Sequence, residues 1–278
     1  MSQRPAKGEL VVDHVAHWVP AAGAARDALA ALGFTVTPFS AQSVGDPPVP
    51  AGTGNHCVML EKGYLEFLAP TADTPNAATL RAGIARYTGV HLIAFGTADP
   101  GGDHARLAAG GFGPLEPVAL SRPIGTPEGE RRARFTVVRT AAGTMAEGRI
   151  QFVEQLTPEH LWQARWLSHA NGATALTRVE LCVADPGEVL ARFARYTGLR
   201  PSAFEGYPAL ATARGTLVFR DPAGTRAALG LEPPTLPWIA GYALACPDLS
   251  KAPKGRETAR GRVVALADAL GGAVAFES

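Results

Sequence analysis

Apolar and polar positions alternate in short runs along this chain, and between those runs the spacing turns helical. The first run, residues 10–19 (LVVDHVAHWV), is rich in β-branched and aromatic residues and reads as a strand. Strand side chains alternate, so His14, Ala16 and Trp18 share one face and Val15, His17 and Val19 the other. From Ala21 to Phe34, Ala25, Leu29 and Leu32 keep a helical stripe, with Gly33 placed as a C-cap. Residues 35–42 read as strand, 45–54 (GDPPVPAGTG) as loop, and 55–61 and 64–69 as strands around a Lys62-Gly63 turn. The order is strand, helix and three strands.

That order recurs. Residues 77–87 form a helical connector, 91–97 a strand with His91 at its start, and 104–109 a short helix stopped by Gly110-Gly111. Residues 116–122 are extended and lead through a wide hairpin at 123–130 to strands at 134–140 and 149–156. Residues 157–172 (TPEHLWQARWLSHANG) form a connector anchored by two tryptophans. A third unit has a strand at 177–185, a helix at 186–198 and strands at 208–212 and 217–220. A fourth has a strand at 238–246, a helix at 260–270 and a strand at 273–276, leaving little chain for the rest. An internal repeat outweighs any single propensity. The expectation is an α+β fold of paired βαβββ modules, roughly four, with the last incomplete. Its divisions are an N-terminal tail (1–9), a first module pair (10–158), a connector (159–172) and a second, degenerate pair (173–278).

Composition narrows the partners. The 278 residues suffice for two ordinary domains, with 46% apolar and 18% charged residues. A formal net charge of +1 gives no reason to expect nucleic acid or an anionic membrane as partner. A small molecule is the expected ligand. Cys57, Cys182 and Cys246 stand far apart in apolar runs, as buried thiols of a reducing compartment do. With no apolar leader and no run long enough to span a bilayer, the expected location is cytoplasmic.

Several stretches carry a likeness to known proteins: Asp13-His14-Val15-Ala16-His17, 54–61 (GNHCVMLE), 64–67 (YLEF), 157–162 (TPEHLW) and 169–172 (HANG). Together with the paired modules, they resemble the vicinal oxygen chelate superfamily of glyoxalase I, extradiol dioxygenases and fosfomycin- and bleomycin-resistance proteins. The glyoxalase-like-domain branch is the nearest in pattern. The resemblance implies curled, cup-shaped sheets with helices outside, and metal ligands on opening and closing strands facing the hollow. It places His14, His91 and Glu154 as ligands of a divalent ion (Zn, Fe, Mn, Ni or Mg), with Glu66 as fourth ligand or catalytic base. Such an ion polarises a carbonyl or holds two vicinal oxygens. Aligning the later units puts Arg178 and Gly241 where His14 stands, which confines a metal to the first pair.

Each residue also has a plainer reading. A strand histidine is commonly a core residue, and His17, on the opposite face, packs against the helix. Gln151 lies on the other strand face from Glu154, so a shift of register would exchange them. His56 borders the hollow as a substrate contact or a structural hydrogen bond. Arg134 and Arg139 frame residues 135–138, and one of them meets an anionic substrate or both end a solvated strand, while Trp18 lines a pocket or packs on its neighbour. The chain has no G-x-S-x-G elbow, Walker A loop, G-x-G-x-x-G turn, C-x-x-C pair or H-E-x-x-H helix. Three functions follow. The first is a metal-dependent isomerase, lyase, hydrolase or dioxygenase acting on vicinal oxygens. The second is a metal-free small-molecule binder of bleomycin-resistance type. The third is a structural protein whose modules mediate homodimerisation.

Overall fold

The computed structural model describes residues 3–44 and 49–278. The first unit runs β1 (Val11–Trp18), α1 (Ala22–Ala31), β2 (Ser40–Val44), β3 (Val49–Met59) and β4 (Tyr64–Pro70). After α2 (Pro75–Arg86) come β5 (Gly89–Gly96), α3 (Pro100–Ala109), β6 (Val118–Thr126), β7 (Gly129–Arg139) and β8 (Arg149–Gln155). The connector holds α4 (Pro158–Leu161) and a 3₁₀ turn, Ala164–Trp166. The third unit is β9 (Ala175–Cys182), α5 (Pro186–Thr197), β10 (Ser202–Phe204), β11 (Tyr207–Ala211) and β12 (Thr216–Arg220). Beyond α6 (Pro222–Leu229) lie β13 (Trp238–Ala245), β14 (Arg256–Thr258), β15 (Gly261–Ala265) and β16 (Ala273–Glu277).

A repeated sequence device starts four of the helices. Thr74, Asp99, Asp185 and Asp221 each accept a backbone amide hydrogen bond as N-cap, and each is followed by proline. Proline loses nothing there, because the first helical amide has no intrahelical acceptor. The strands repeat a pairing rule as well. In every unit the opening strand lies parallel to the closing one: β1 with β4, β5 with β8, β9 with β12, β13 with β16. Opening strands of each pair lie antiparallel, β1 with β5 and β9 with β13. The two pairs meet at Ile239 of β13 and Val90 of β5, so one unclosed sheet runs through the molecule.

Alternation divides the first pair into two faces. Val15, Ile93, Phe95, Ile150 and Phe152 pack outward with Ala25 and Leu29 of α1 and Leu107 of α3. Ala16, Leu92, Ala94, Val137 and Val153 form the inner face, joined by half-buried Leu120 and Phe135. Two segments cover that inner face. Helix α2 sets Leu80 and Ile84 on Trp18 and Leu68, while Leu161, Trp162 and Trp166 of the connector lie on Cys57, Met59 and Tyr64.

Three local expectations are corrected. Residues 49–54 belong to β3 rather than a loop, because Thr53 and Gly54 pair with Pro70 and Ala69 and Gly54 lies against the Phe39 ring. The remainder of that expected loop, 45–48, lies outside the described residues. The wide hairpin at 123–130 is a tight one, with Thr126 paired to Gly129. The helix expected at 260–270 is strand β15 instead: Val263 and Val264 pair with Ala275 and Val274. Gly261 permits it, with φ of 150° and a backbone so close that a Cβ would fall 2.0 Å from the Phe276 carbonyl oxygen. The fourth unit is therefore incomplete through a missing helix, not missing strands.

Candidate functional site

Two bulges interrupt the β1–β5 ladder. Register shifts fall between Val12 and His14, which leaves Asp13 unpaired, and between Ala16 and His17, which leaves His91 unpaired on β5. A bulge turns a side chain away from the alternation that the strand dictates. At the first, Asp13 Oδ1 meets His14 Nδ1 at 2.7 Å and accepts a 3.0 Å hydrogen bond from Gln155 Nε2. A carboxylate only accepts, so Nδ1 carries the proton in the neutral ring and the lone pair falls on Nε2. The His14 ring stacks on Tyr64 at 4.3 Å.

At the second bulge, His91 stacks between Tyr87 (3.9 Å) and Trp18 (4.7 Å), with Nε2 bonded to the Tyr87 carbonyl at 2.8 Å. Burial pushes its pKa down to about 4, against the Tyr87 hydrogen bond and with help from Arg86, so the ring is neutral at pH 7. His91, Trp18 and the end of α2 form one wall of a cavity of about 600 Å³. The segment 139–150 forms the opposite wall, and Pro237, ahead of β13, closes the seam between the module pairs. Gly83 admits Trp18 to the α2 surface, since a Cβ there would lie 2.3 Å from the indole ring.

The inner face also carries charge. Arg149 and Arg139, on β8 and β7, both line the cavity. Arg149 stands over the Trp18 ring at 5.6 Å, and its pKa is lowered by burial and then by Arg139, against a smaller pull from Glu66. Arg139 Nε and Trp18 Nε1 are buried without a hydrogen-bond partner among the described residues. Glu66 shares this face, its carboxylate engaged by Asn55 Nδ2.

The residues marked from sequence scatter over this framework. His14 and His91 sit at different bulges, four β1 positions apart, since His14 stands opposite Ala94 while His91 stacks on Trp18. Glu154 lies on the outer side of β8, ion-paired with Arg4, while Gln151 pairs with Ala94 and Arg139 on the inner side. Arg134 is exposed and faces away from the inner side, whose β7 residues are Phe135 and Val137. His56 faces outward as well: Nδ1 bonds the Thr37 carbonyl at 2.8 Å, and its ring meets Phe39. Of the set, Trp18 and His91 meet in the cavity. His17 is buried against Phe67 and Tyr242.

The fold family implies a divalent ion, and the donors named for it do not fit one. His14 Nε2 and His91 Nδ1 each keep a lone pair, because the other ring nitrogen is bonded to Asp13 or to the Tyr87 carbonyl as in a ligand histidine. The two rings sit at different bulges, however, and Glu154 lies on the opposite face, paired with Arg4. Among the described residues no three His, Cys, Asp or Glu side chains are grouped to hold a metal. Sequence reasoning missed Asp13 and Arg149, and it raised Arg139 only beside Arg134, as one of two arginines framing a strand of which one could meet an anion. Asp13 was hidden because alternation puts it opposite His14, and only the bulge reunites them. The arginines carried a signal: both fall on the alternation that includes Val137 and Val153.

The second pair treats its equivalent residues differently. Its bulges leave Thr177 and Ala240 unpaired, which places Arg178 where His14 stands. Arg178 forms a two-pronged bond to Glu277 (2.6 and 2.7 Å) and another to Glu180, which also takes Arg220 Nε at 2.9 Å. These arginines are satisfied within the protein.

Parallel opening and closing strands, antiparallel openings and a helix of each first-pair module on the outer face define the paired-module fold of the vicinal oxygen chelate superfamily. The chain belongs to the glyoxalase-like domain family, whose model matches residues 12–197. No curated protein matches it. Among solved structures it is similar to a hypothetical protein from Staphylococcus aureus (10% identity, TM-score 0.66, covering 96% of this chain and 99% of that one). A triple mutant of 4-hydroxymandelate synthase from Streptomyces coelicolor also matches (16%, 0.54, 87% and 73%). So does a xylose isomerase-like TIM barrel/4-hydroxyphenylpyruvate dioxygenase fusion protein (17%, 0.51), of which the chain spans 39%. At these identities the likeness is one of fold. No helix among the described residues is long and apolar enough to cross a membrane.

Proposed function

We propose that this protein binds a small organic molecule in the cavity of its first module pair, without a metal held by His14, His91 and Glu154. The observation that carries this reading is the cavity itself. It measures about 600 Å³, within the range of small-molecule sites, and it lies at a seam between two structural units, where such sites concentrate. Apolar walls from Trp18, Leu115, Met145, Ile150 and Pro237 surround a few polar groups. The metal-dependent reading needs three donors converging on one ion, and the named trio does not converge. An enzymatic reading keeps one supporting geometry, the Asp13–His14 pair, whose Nε2 lone pair is the form a general base uses.

Two measurements test this reading. In a thermal-shift screen of small apolar acids, amines and neutral compounds, Ala82→Trp, which narrows the cavity, should abolish the shifts seen with the natural chain. Metal content should be the same for the natural chain, His14→Ala and His91→Ala. An ion lost in both variants would overturn the proposal, as would hits that persist in Ala82→Trp.

A further inference from the structure

We infer that the cavity recognises its ligand through an oxyanion, a carboxylate or phosphate on an otherwise apolar body, gripped by Arg139 and Arg149. This rests on the small-molecule reading and adds the chemistry of the ligand. The cavity lining contains three arginines, Arg86, Arg139 and Arg149, and no aspartate or glutamate. His91, the remaining titratable lining group, is neutral and already bonded to the Tyr87 carbonyl. The positive charge of this lining therefore has no counterpart within it.

Buried guanidinium groups are costly unless paired. Elsewhere the same fold meets that cost with carboxylates: Arg178 has Glu277 and Glu180, and Arg220 has Glu180. Arg139 and Arg149 stand on adjacent strands of the equivalent surface with neither ion-paired among the described residues, and Arg139 Nε is buried with no acceptor. Arg149 lies over Trp18, while Glu66, the carboxylate whose field reaches it, is taken up by Asn55. Two half-buried guanidinium groups with no ion pair among the described residues suit a group with several oxygens, since each can donate two parallel hydrogen bonds to one oxyanion. The apolar remainder of the walls, from Leu115, Met145 and Ile150, suits a hydrocarbon or aromatic body.

The test is calorimetric titration with 3-phenylpropionate, 2-phenylethyl phosphate and neutral 3-phenylpropanamide at constant ionic strength. Either anion should bind on the order of tenfold or more tightly than the amide. Whichever binds more tightly identifies the head group. Arg139→Gln and Arg149→Gln should each weaken the anion about tenfold and leave the amide unchanged. Arg139→Gln should also keep the melting temperature of the free protein, because it loses no ion pair, while Arg149→Gln gives up only its stacking over Trp18. Arg139→Lys, which keeps the charge without the fork, should fall between. Equal binding of anions and amide overturns this inference while leaving the small-molecule reading intact. Anion affinity unchanged in both glutamine variants does the same. Binding of none of the three overturns both.

Discussion

Asp13 Oδ1 lies 2.7 Å from Nδ1 of His14, its neighbour in sequence, because a bulge brings together two side chains that an ideal strand would separate. The carboxylate holds the ring in one tautomer, and Gln155 Nε2 holds the carboxylate. Asp13→Ala therefore strands two buried donors. Urea unfolding should register a loss of at least about 2 kcal/mol, since unsatisfied buried partners cost roughly that much each. Ring nitrogen shifts of His14 should move from a single tautomer toward a mixture. Unchanged shifts would show that packing on Tyr64, not Asp13, orients the ring.

Acid should destabilise the protein through two histidines. Burial pushes His17 down to about 4 against its hydrogen bond to the Leu270 carbonyl, and burial likewise holds His91 at about 4. In the unfolded chain both titrate near the ordinary value of 6.5. Between those values the unfolded state binds more protons, so stability is complete above pH 6.5 and falls as pH drops toward 4. Each histidine contributes about 3 kcal/mol over the full window, as an order of magnitude. His91→Gln should flatten part of the pH dependence of urea midpoints. A wild-type slope retained in that variant would count against a neutral His91.

Gly83→Ala separates helix propensity from packing. Alanine is the better helix former by about 1 kcal/mol, so an open site would be stabilised. Here the new Cβ would stand 2.3 Å from the Trp18 ring, and overpacking costs about 1–3 kcal/mol. The expected result is a net loss in melting temperature with a shifted tryptophan emission. A gain in stability would mean that Trp18 moves freely over α2.

The order of the units was legible in the sequence because alternation, the helical spacing between strands and the recurring opening strands all point the same way. The Thr74-Pro75 and Asp99-Pro100 helix starts were passed over, and those two helices were placed late. What else failed locally failed for tertiary reasons. Residues 260–270 carry helix-compatible spacing, yet Val263 and Val264 complete a sheet that the preceding units have already built. At the site, a strict alternation rule located Trp18 on the inner face and separated Glu154 from Gln151. It failed at Asp13 and His91, where one extra residue on one strand resets the face of its side chain. Bulges of this kind leave no composition signal, so the convergence of Asp13 with His14 required the three-dimensional register.

Arg178 and Arg139 should respond to substitution in opposite ways, although both are arginines on inner strand faces. Arg178 is held by Glu180 and Glu277, with the three side chains between 2% and 12% exposed. Arg178→Met removes the shared cation and leaves buried carboxylates short of partners, a change that costs about 3–5 kcal/mol in buried ion pairs. Glu277 retains Arg260 at 3.3 Å and Glu180 retains Arg220, which places the loss at the lower end of that range. Adding Glu277→Leu should recover part of it, because a second apolar residue removes the stranded charge. Arg139→Gln removes a cation that has Arg149 as a like-charged neighbour and no carboxylate partner among the described residues, so its stability should hold or rise slightly. Urea unfolding of the four chains decides the matter. Equal losses for Arg178→Met and Arg139→Gln would mean that the cavity arginines are structural, and that the asymmetry between the two module pairs has no functional content.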